Sequence, residues 1–389
     1  MAHLSQPASL PITDYSICKF FALLRDPRRT RRRLHHLQDI IVIALCAVIA
    51  GAQDWQQIAT FGRKRVDWLR GFLALPNGVP SHDTFERVFC RLRPGAFQAS
   101  FRQWVQAITA GLQLRHVAID GKTLRGSGTA QLGPLHLVSA WATELNLSLG
   151  QVAVDSKSNE ITAIPELLRL LELKGALVTI DAMGCQKAIA EQIIAAGADY
   201  VLAVKDNQPT LHADVQQLFQ AGLENDFADL EHRYHQTSEK GHGRVESRHY
   251  HVVKVPKELA DKHAEFKGLK TFGMVFSERQ VGEEAATAET RYYISSTDLK
   301  VRAFAQAVRK HWGIENNLHW QLDVTFGEDG NRVKDRQGAA NLALLRKLTL
   351  VLLKAHPSKD SLACKRLSAA LDPAFLEEIL KADGILEKV

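Results

Sequence analysis

From residue 116 the chain runs in an order that few folds accommodate. "HVAIDGKTLRGS" (116–127), "LHLVSAWAT" (135–143) and "GQVAVDS" (150–156) read as three successive strands. The amphipathic "AIPELLRLLELKG" (163–175) reads as a helix ending at a glycine. It is followed by the apolar strand "ALVTID" (176–181), the helix "KAIAEQIIAAG" (187–197) and the strand "DYVLAVK" (199–205). Three strands followed by alternating helix and strand predict an α/β mixed sheet with helices on its faces. The RNase H-like fold has this order.

The flanks differ in texture. Residues 15–113 read as mostly helical, and the apolar run "IIVIALCAVIA" (40–50) is too short to span a bilayer, so it is expected as a buried helix. "DWQQIATFGRKRVDWLRGFL" (54–73) and "HDTFERVFCRLR" (82–93), on either side of the break "PNGVP", permit a helix-turn-helix reading or a plain basic bundle. Three β-rich stretches, 247–255, 270–279 and 291–296, fall within residues 229–297. Helices resume over 301–322 and 335–355. The expected units are 1–115, helical and basic; 116–228, the first part of a core; 229–297, a β-rich insertion; and 298–389, the rest of the core with a helical tail.

Charge is uneven. Residues 1–115 hold 16 Lys and Arg against 7 Asp and Glu, while the remainder holds 33 against 36. A basic front joined to a neutral body suggests a polyanion partner. "RDPRRTRRR" (25–33) packs six arginines into nine residues and is expected to contact phosphate. Five scattered cysteines without a C-x-x-C pair, and no leader-like N-terminus, argue for a reducing cytoplasm rather than a disulfide framework.

The acids carry the chemistry. Asp120 lies within or just after an apolar strand, and Asp181 closes another and precedes the small residues "AMG". In the inferred topology these strands are neighbours, so the two carboxylates converge. "HWGIENNLHWQLDVTFGED" (311–329) adds four more acids. Glu315 falls on the apolar stripe of its helix with His311 and Leu318, where a charge needs a cation or a hydrogen-bonding partner. Asp323 is turned away from it by roughly 80°, and Glu328 and Asp329 sit in the turn "GEDGN", where solvated acids are expected. Three carboxylates from separate elements suit hard divalent cations in phosphodiester chemistry. His232, His235, His242, His249 and His251 lack a zinc-binding frame.

Taken together, "IDGKTLRGS", "VAVDSKSNEITAIPELL", "VTIDAMGCQKAIAEQI", "ADYVLAVKDNQPTL" and "HWGIENNLHWQLDVTFGEDGNR" resemble the DDE transposases of bacterial insertion sequences, in the H-repeat-associated subgroup. The resemblance spans about residues 10–370. It implies an RNase H-like core with a β-rich insertion, and Mg²⁺-dependent DNA cleavage and strand transfer, with Mn²⁺ able to stand in. It also implies double-stranded DNA, both element ends and target, as partner, and a homodimer as the working complex, with no membrane role. Asp120, Asp181 and Glu315 match the family's three acids.

Related transposases carry Tyr and Arg before the glutamate and Lys after it; this chain has Val308, His311 and Leu322 there. Phosphate contacts are therefore sought among Arg28, Arg29, Arg31, Arg32, Arg33, Lys122, Arg125, Lys157, Lys205, Arg309 and Arg332, with Lys310 and Lys334 as further candidates. A catalytically silent DNA-binding relic and another RNase H-like nuclease are the competing readings.

Overall fold

The computed structural model describes residues 16–30, 33–110, 112–154, 159–241, 243–282, 285–298 and 300–381. Nine strands form one sheet: β1 (His116–Leu124), β2 (Leu135–Ala142), β3 (Leu147–Ala153), β4 (Leu177–Ile180), β5 (Asp199–Val204), β6 (His232–Gly241), β7 (Arg244–Lys254), β8 (Thr271–Val281) and β9 (Thr287–Ser295). Their order is β3-β2-β1-β4-β5-β9-β8-β7-β6. The first three pair antiparallel, whereas β1–β4 and β4–β5 are parallel. This is the mixed sheet of the RNase H-like fold.

The parallel pairs need crossovers, and the helices Glu160–Arg169 and Lys187–Ala195 supply them. Asn159 starts the first helix by accepting a hydrogen bond from the Ile161 amide. The later strands extend the same sheet, since β9 pairs antiparallel with β5. Two elements escape the hydrophobic pattern. β6 is largely solvent-facing, so it shows no apolar alternation, and the helix Pro209–Glu224 buries only Leu211, Val215, Phe219 and Gly222.

The helix Arg336–Ala355 joins the N-terminal helices to the sheet. It packs on Leu37–Ile49, on Pro94–Ile108, and on β2 and β3. The apolar run expected as a buried helix is one: every residue of Leu37–Ile49 except Gln38 is buried. Each buried Ile, Leu or Val contributes roughly 1.5–3 kcal/mol relative to exposure. Among the described residues no helix is long and apolar enough to cross a membrane.

Residues Gly338 to Leu353 of the helix Arg336–Ala355 are buried, and several of its polar groups are bonded inward. Asn341 Nδ2 donates to the carbonyls of Phe89 and Leu92, both at 2.7 Å, closing the end of the helix His82–Phe89. Lys347 Nζ donates to Gln151 Oε1 at 2.5 Å.

The helix expected over 301–322 is not continuous. Val301–Ile314 is α-helical, Glu315–His319 forms a π turn closed by the Trp320 amide on the Glu315 carbonyl, and Trp320–Val324 resumes the α-helix. A π turn displaces the backbone register, and such turns often occur at functional sites. Lys354 Nζ donates to the Asn317 carbonyl inside the turn at 2.9 Å and lies over the Trp141 ring.

Candidate metal-binding active site

β1 and β4 run parallel with Ile119 opposite Ile180, so Asp120 and Asp181 each lie one residue beyond a paired position. The helix Val301–Ile314 packs across both strands and carries Glu315 at its end. Asp120, Asp181 and Glu315 line one cavity of about 360 Å³, together with Lys205, Arg291, His311 and Trp312.

Gly121 has a steric reason for being glycine. A Cβ there would collide with Glu160 and His136, which approach β1 from the face opposite Asp120. His136 Nε2 and Glu160 Oε1 are 2.5 Å apart, and His136 Nδ1 meets Thr123 Oγ1 at 2.8 Å. Glu160 is thus a further acid beside the site.

The acids are electrostatically unequal. Burial pushes the Asp181 carboxyl up, and the charges of Glu160 and Asp120 add to it, so it titrates at about 6. Burial acts on Asp120 in the same direction, but the hydrogen bond and charge of His319 outweigh it and hold Asp120 below its usual value. Glu315 is lowered chiefly by its hydrogen bond to His319. His319 Nδ1 lies 3.2 Å from Glu315 Oε2 and 3.4 Å from Asp120 Oδ2. Burial alone would lower the pKa of His319, yet these two carboxylates raise it.

The expected placement of Glu315 needs correcting. It is not a core residue: its side chain is 52% exposed at the edge of the cavity, and His319 is the buried one. Leu318 and Leu322 are buried as the stripe predicts, and within the π turn His319 is buried with them. Glu328 departs in the opposite sense. It is buried rather than solvated, with Arg346 Nη1 3.7 Å from its Oε1.

The predicted phosphate contacts divide. Lys205 lines the cavity and is exposed. Lys122 is not open to phosphate, because its ammonium is buried against Asp323 at 2.6 Å and Asp329 at 3.3 Å. Arg28 is likewise engaged, donating to Asp26 and to the His35 carbonyl while buried. Arg33 braces the same loop through the Arg28 carbonyl. Arg29 is exposed in a cleft of about 680 Å³ that also contains Arg87 and Arg91.

Arg125 is 82% exposed near Asp329, Arg332 is exposed, and Arg309 pairs with Glu239 of β6 at 3.0 Å. Lys310 pairs with Glu144, and Lys334 donates to the Gly126 and Gly128 carbonyls. Arg31, Arg32 and Lys157 lie outside the described residues, as does His242. Among the described members of the histidine group, His232 and His251 stack on each other and His249 meets Tyr234.

Sequence reasoning missed His319, Arg291 and Glu160. His319 had a signal, being four residues after Glu315 on the same helix. Arg291 had none, because β9 reaches the cavity only through its pairing with β5. There its guanidinium is pinned by Glu289 and lies 4.8 Å over the Trp312 ring.

Asp120, Asp181 and Glu315 line one cavity, but the ligand atoms within 4.8 Å of one another belong to Asp120, Glu315 and His319, with Asp181 outside that group. Carboxylate oxygens there suit a hard cation. Residues 111–352 match the family described as "Transposase DDE domain". The chain belongs to the DDE transposase family. Residues 18–105 match the companion region "DDE_Tnp_1-associated".

Two curated relatives run nearly the full length of this transposase. "Putative transposase YncI" of Escherichia coli O157:H7 is 42% identical over 370 residues, covering 94% of each chain. "H repeat-associated putative transposase YhhI" of Escherichia coli K12 is 39% identical over 375 residues, 95% of this chain and 98% of the relative. Among solved structures, the cryo-EM structure of a piggyBac transposase synaptic complex with hairpin DNA matches 96% of this chain and 79% of its own. The identity is 12% and the TM-score 0.41.

Proposed function

We propose that this transposase cuts and joins insertion-sequence ends by metal-dependent phosphodiester hydrolysis and transesterification, with Asp120, Asp181 and Glu315 as the ligand set. The observation that supports the reading is that these three acids line one cavity, with Asp181 left under-neutralised by its neighbours. A divalent cation held there, Mg²⁺ or Mn²⁺, would supply the charge that activates an attacking hydroxyl and stabilises the leaving oxygen.

The chain's own residues do the rest. Lys205 and Arg291 are the cations among the described residues lining the cavity, and they are assigned to the scissile phosphate. Glu289 and Trp312 hold the Arg291 plane, which orients a two-pronged donor before substrate arrives. His311 stands where related transposases have Arg, but burial lowers its pKa and its Nδ1 bonds Thr179 at 3.0 Å, so it contributes shape rather than charge. Arg29 with Arg87 and Arg91 is assigned to backbone contacts with double-stranded DNA, and a homodimer is the assembly that would hold two ends.

The test is cleavage of labelled DNA carrying the element's own terminal repeats, with Mg²⁺ and with EDTA, comparing wild type with Asp181→Asn. Nicking at the repeat ends that requires metal and is lost in the variant is expected. Binding to the ends without cleavage under any metal would overturn the reading in favour of a silent DNA-binding protein.

A further inference from the structure

We propose that His319 is itself a metal ligand, through Nδ1, so that the Asp120–Glu315 side of the site is a mixed nitrogen–oxygen position favouring Mn²⁺ over Mg²⁺. The inference rests on the metal-dependent reading above and adds to it a donor outside the three acids.

Geometry is the first support. One ligand atom each from Asp120, Glu315 and His319 lie within 4.8 Å of one another, with His319 Nδ1 at 3.2 and 3.4 Å from the two carboxylate oxygens. Metal bonds of about 2.1 Å, at angles between octahedral and tetrahedral, separate neighbouring ligand atoms by about 3.0–3.4 Å. The two measured edges fall in that range without any rearrangement.

Placement is the second. His319 is 3% exposed, so its ring is held by packing rather than by solvent. The π turn presents Glu315 and His319 together over the β1 carboxylate, and the Lys354 ammonium fixes that turn at the Asn317 carbonyl. The remaining ring nitrogen, Nε2, is buried with no hydrogen-bond partner among the described residues. Coordination through Nδ1 would put the ring proton on Nε2 and pass the two carboxylates from the imidazole to the cation.

Chemistry gives the preference. Carboxylates alone suit Mg²⁺, whereas an imidazole nitrogen raises affinity for first-row transition ions relative to a hard alkaline-earth ion. Without DNA, the full-length chain should bind Mn²⁺ with an imidazole ¹⁴N coupling visible by pulsed electron paramagnetic resonance. His319→Gln should lose that coupling and weaken Mn²⁺ binding about tenfold or more, while Mg²⁺ binding, read by competition, moves less than about threefold. His319→Asp restores an oxygen donor. It should recover divalent binding without the coupling, shifted toward Mg²⁺, and this guards against a misfolded Gln variant.

Bound Mn²⁺ lacking ¹⁴N coupling, or coupling retained in His319→Gln, would overturn the proposal and leave the carboxylate metal site standing. Failure of the wild type to bind Mn²⁺ or Mg²⁺ at all would bring down the metal-dependent reading as well.

Discussion

Glu315 and Glu328 lie thirteen positions apart in one short stretch of sequence, and the fold uses them in opposite ways. Glu315 faces a cavity among acids with an imidazole between two of them. Glu328 is buried, with Arg346 3.7 Å away and Lys347 and Lys122 acting on the same charge environment. Lys122 is in turn bonded to Asp323 and Asp329. This second cluster therefore sets cations of the chain's own beside its acids, although neither Glu328 oxygen has a hydrogen-bond partner among the described residues. In the cavity, by contrast, Asp181 rises to about 6 because burial and two neighbouring acids act on it together. Acids supplied with cations by the chain hold the scaffold together, whereas acids left short of them are placed for an external cation.

The sharpest way to break this contrast is to remove one charge from each side. Glu315→Gln should lower metal-dependent cleavage on the order of 10³-fold, the scale for losing a group that stabilises reacting charge, while leaving the melting temperature close to wild type. Glu328→Gln should do the reverse. It strands the Arg346 charge in the interior and costs about 3–5 kcal/mol of stability, read by denaturant unfolding, with cleavage per folded molecule near wild type. If the two variants behaved alike, the distinction between site and scaffold would fail.

A smaller effect sharpens the cavity side through pH. Below about pH 4 Asp181 holds its proton in both the folded and the unfolded chain. As pH rises, the unfolded carboxyl ionises first while the folded one keeps its proton up to about 6, so stability is lost through that window. The two-unit gap corresponds to about 2–3 kcal/mol. In EDTA at pH 7, Asp181→Asn should be more stable than wild type by that order, and saturating Mg²⁺ should erase or invert the difference. A variant no more stable than wild type in EDTA would show that the charge at Asp181 is already compensated.

The smallest effect concerns Lys354, which belongs to neither cluster yet braces the π turn. Lys354→Met should cost about 1.5 kcal/mol, the low end for a hydrogen bond to a charged group, and weaken Mn²⁺ binding several-fold, with Lys354→Arg recovering both. A stability loss with unchanged metal affinity would separate the turn from the site.

Much of the core was legible before any coordinates. Apolar runs ending in Asp marked β1 and β4, and the order of strands and helices implied their adjacency, because parallel neighbours need the crossover helices the pattern supplied. Glu315 was singled out by a charge on an apolar stripe. That periodicity assumes a regular α-helix, whereas a π turn begins at Glu315; Glu315 is exposed there and His319 is buried. The arginine run was legible as charge but not as geometry, since Arg28 spends its donors on Asp26 and the His35 carbonyl.

By itself, then, the sequence determined the adjacency of β1 and β4, the buried helix Leu37–Ile49 and the family, because hydrophobic period and local motifs are written in consecutive residues. Only the tertiary structure decided which charges are partnered. Lys122 meets Asp323 across 201 positions, and Arg291 reaches the cavity from the far side of β5. Coulomb and hydrogen-bond energies depend on separation in space, and a side chain's role among such partners is set by what the fold brings within a few ångströms of it.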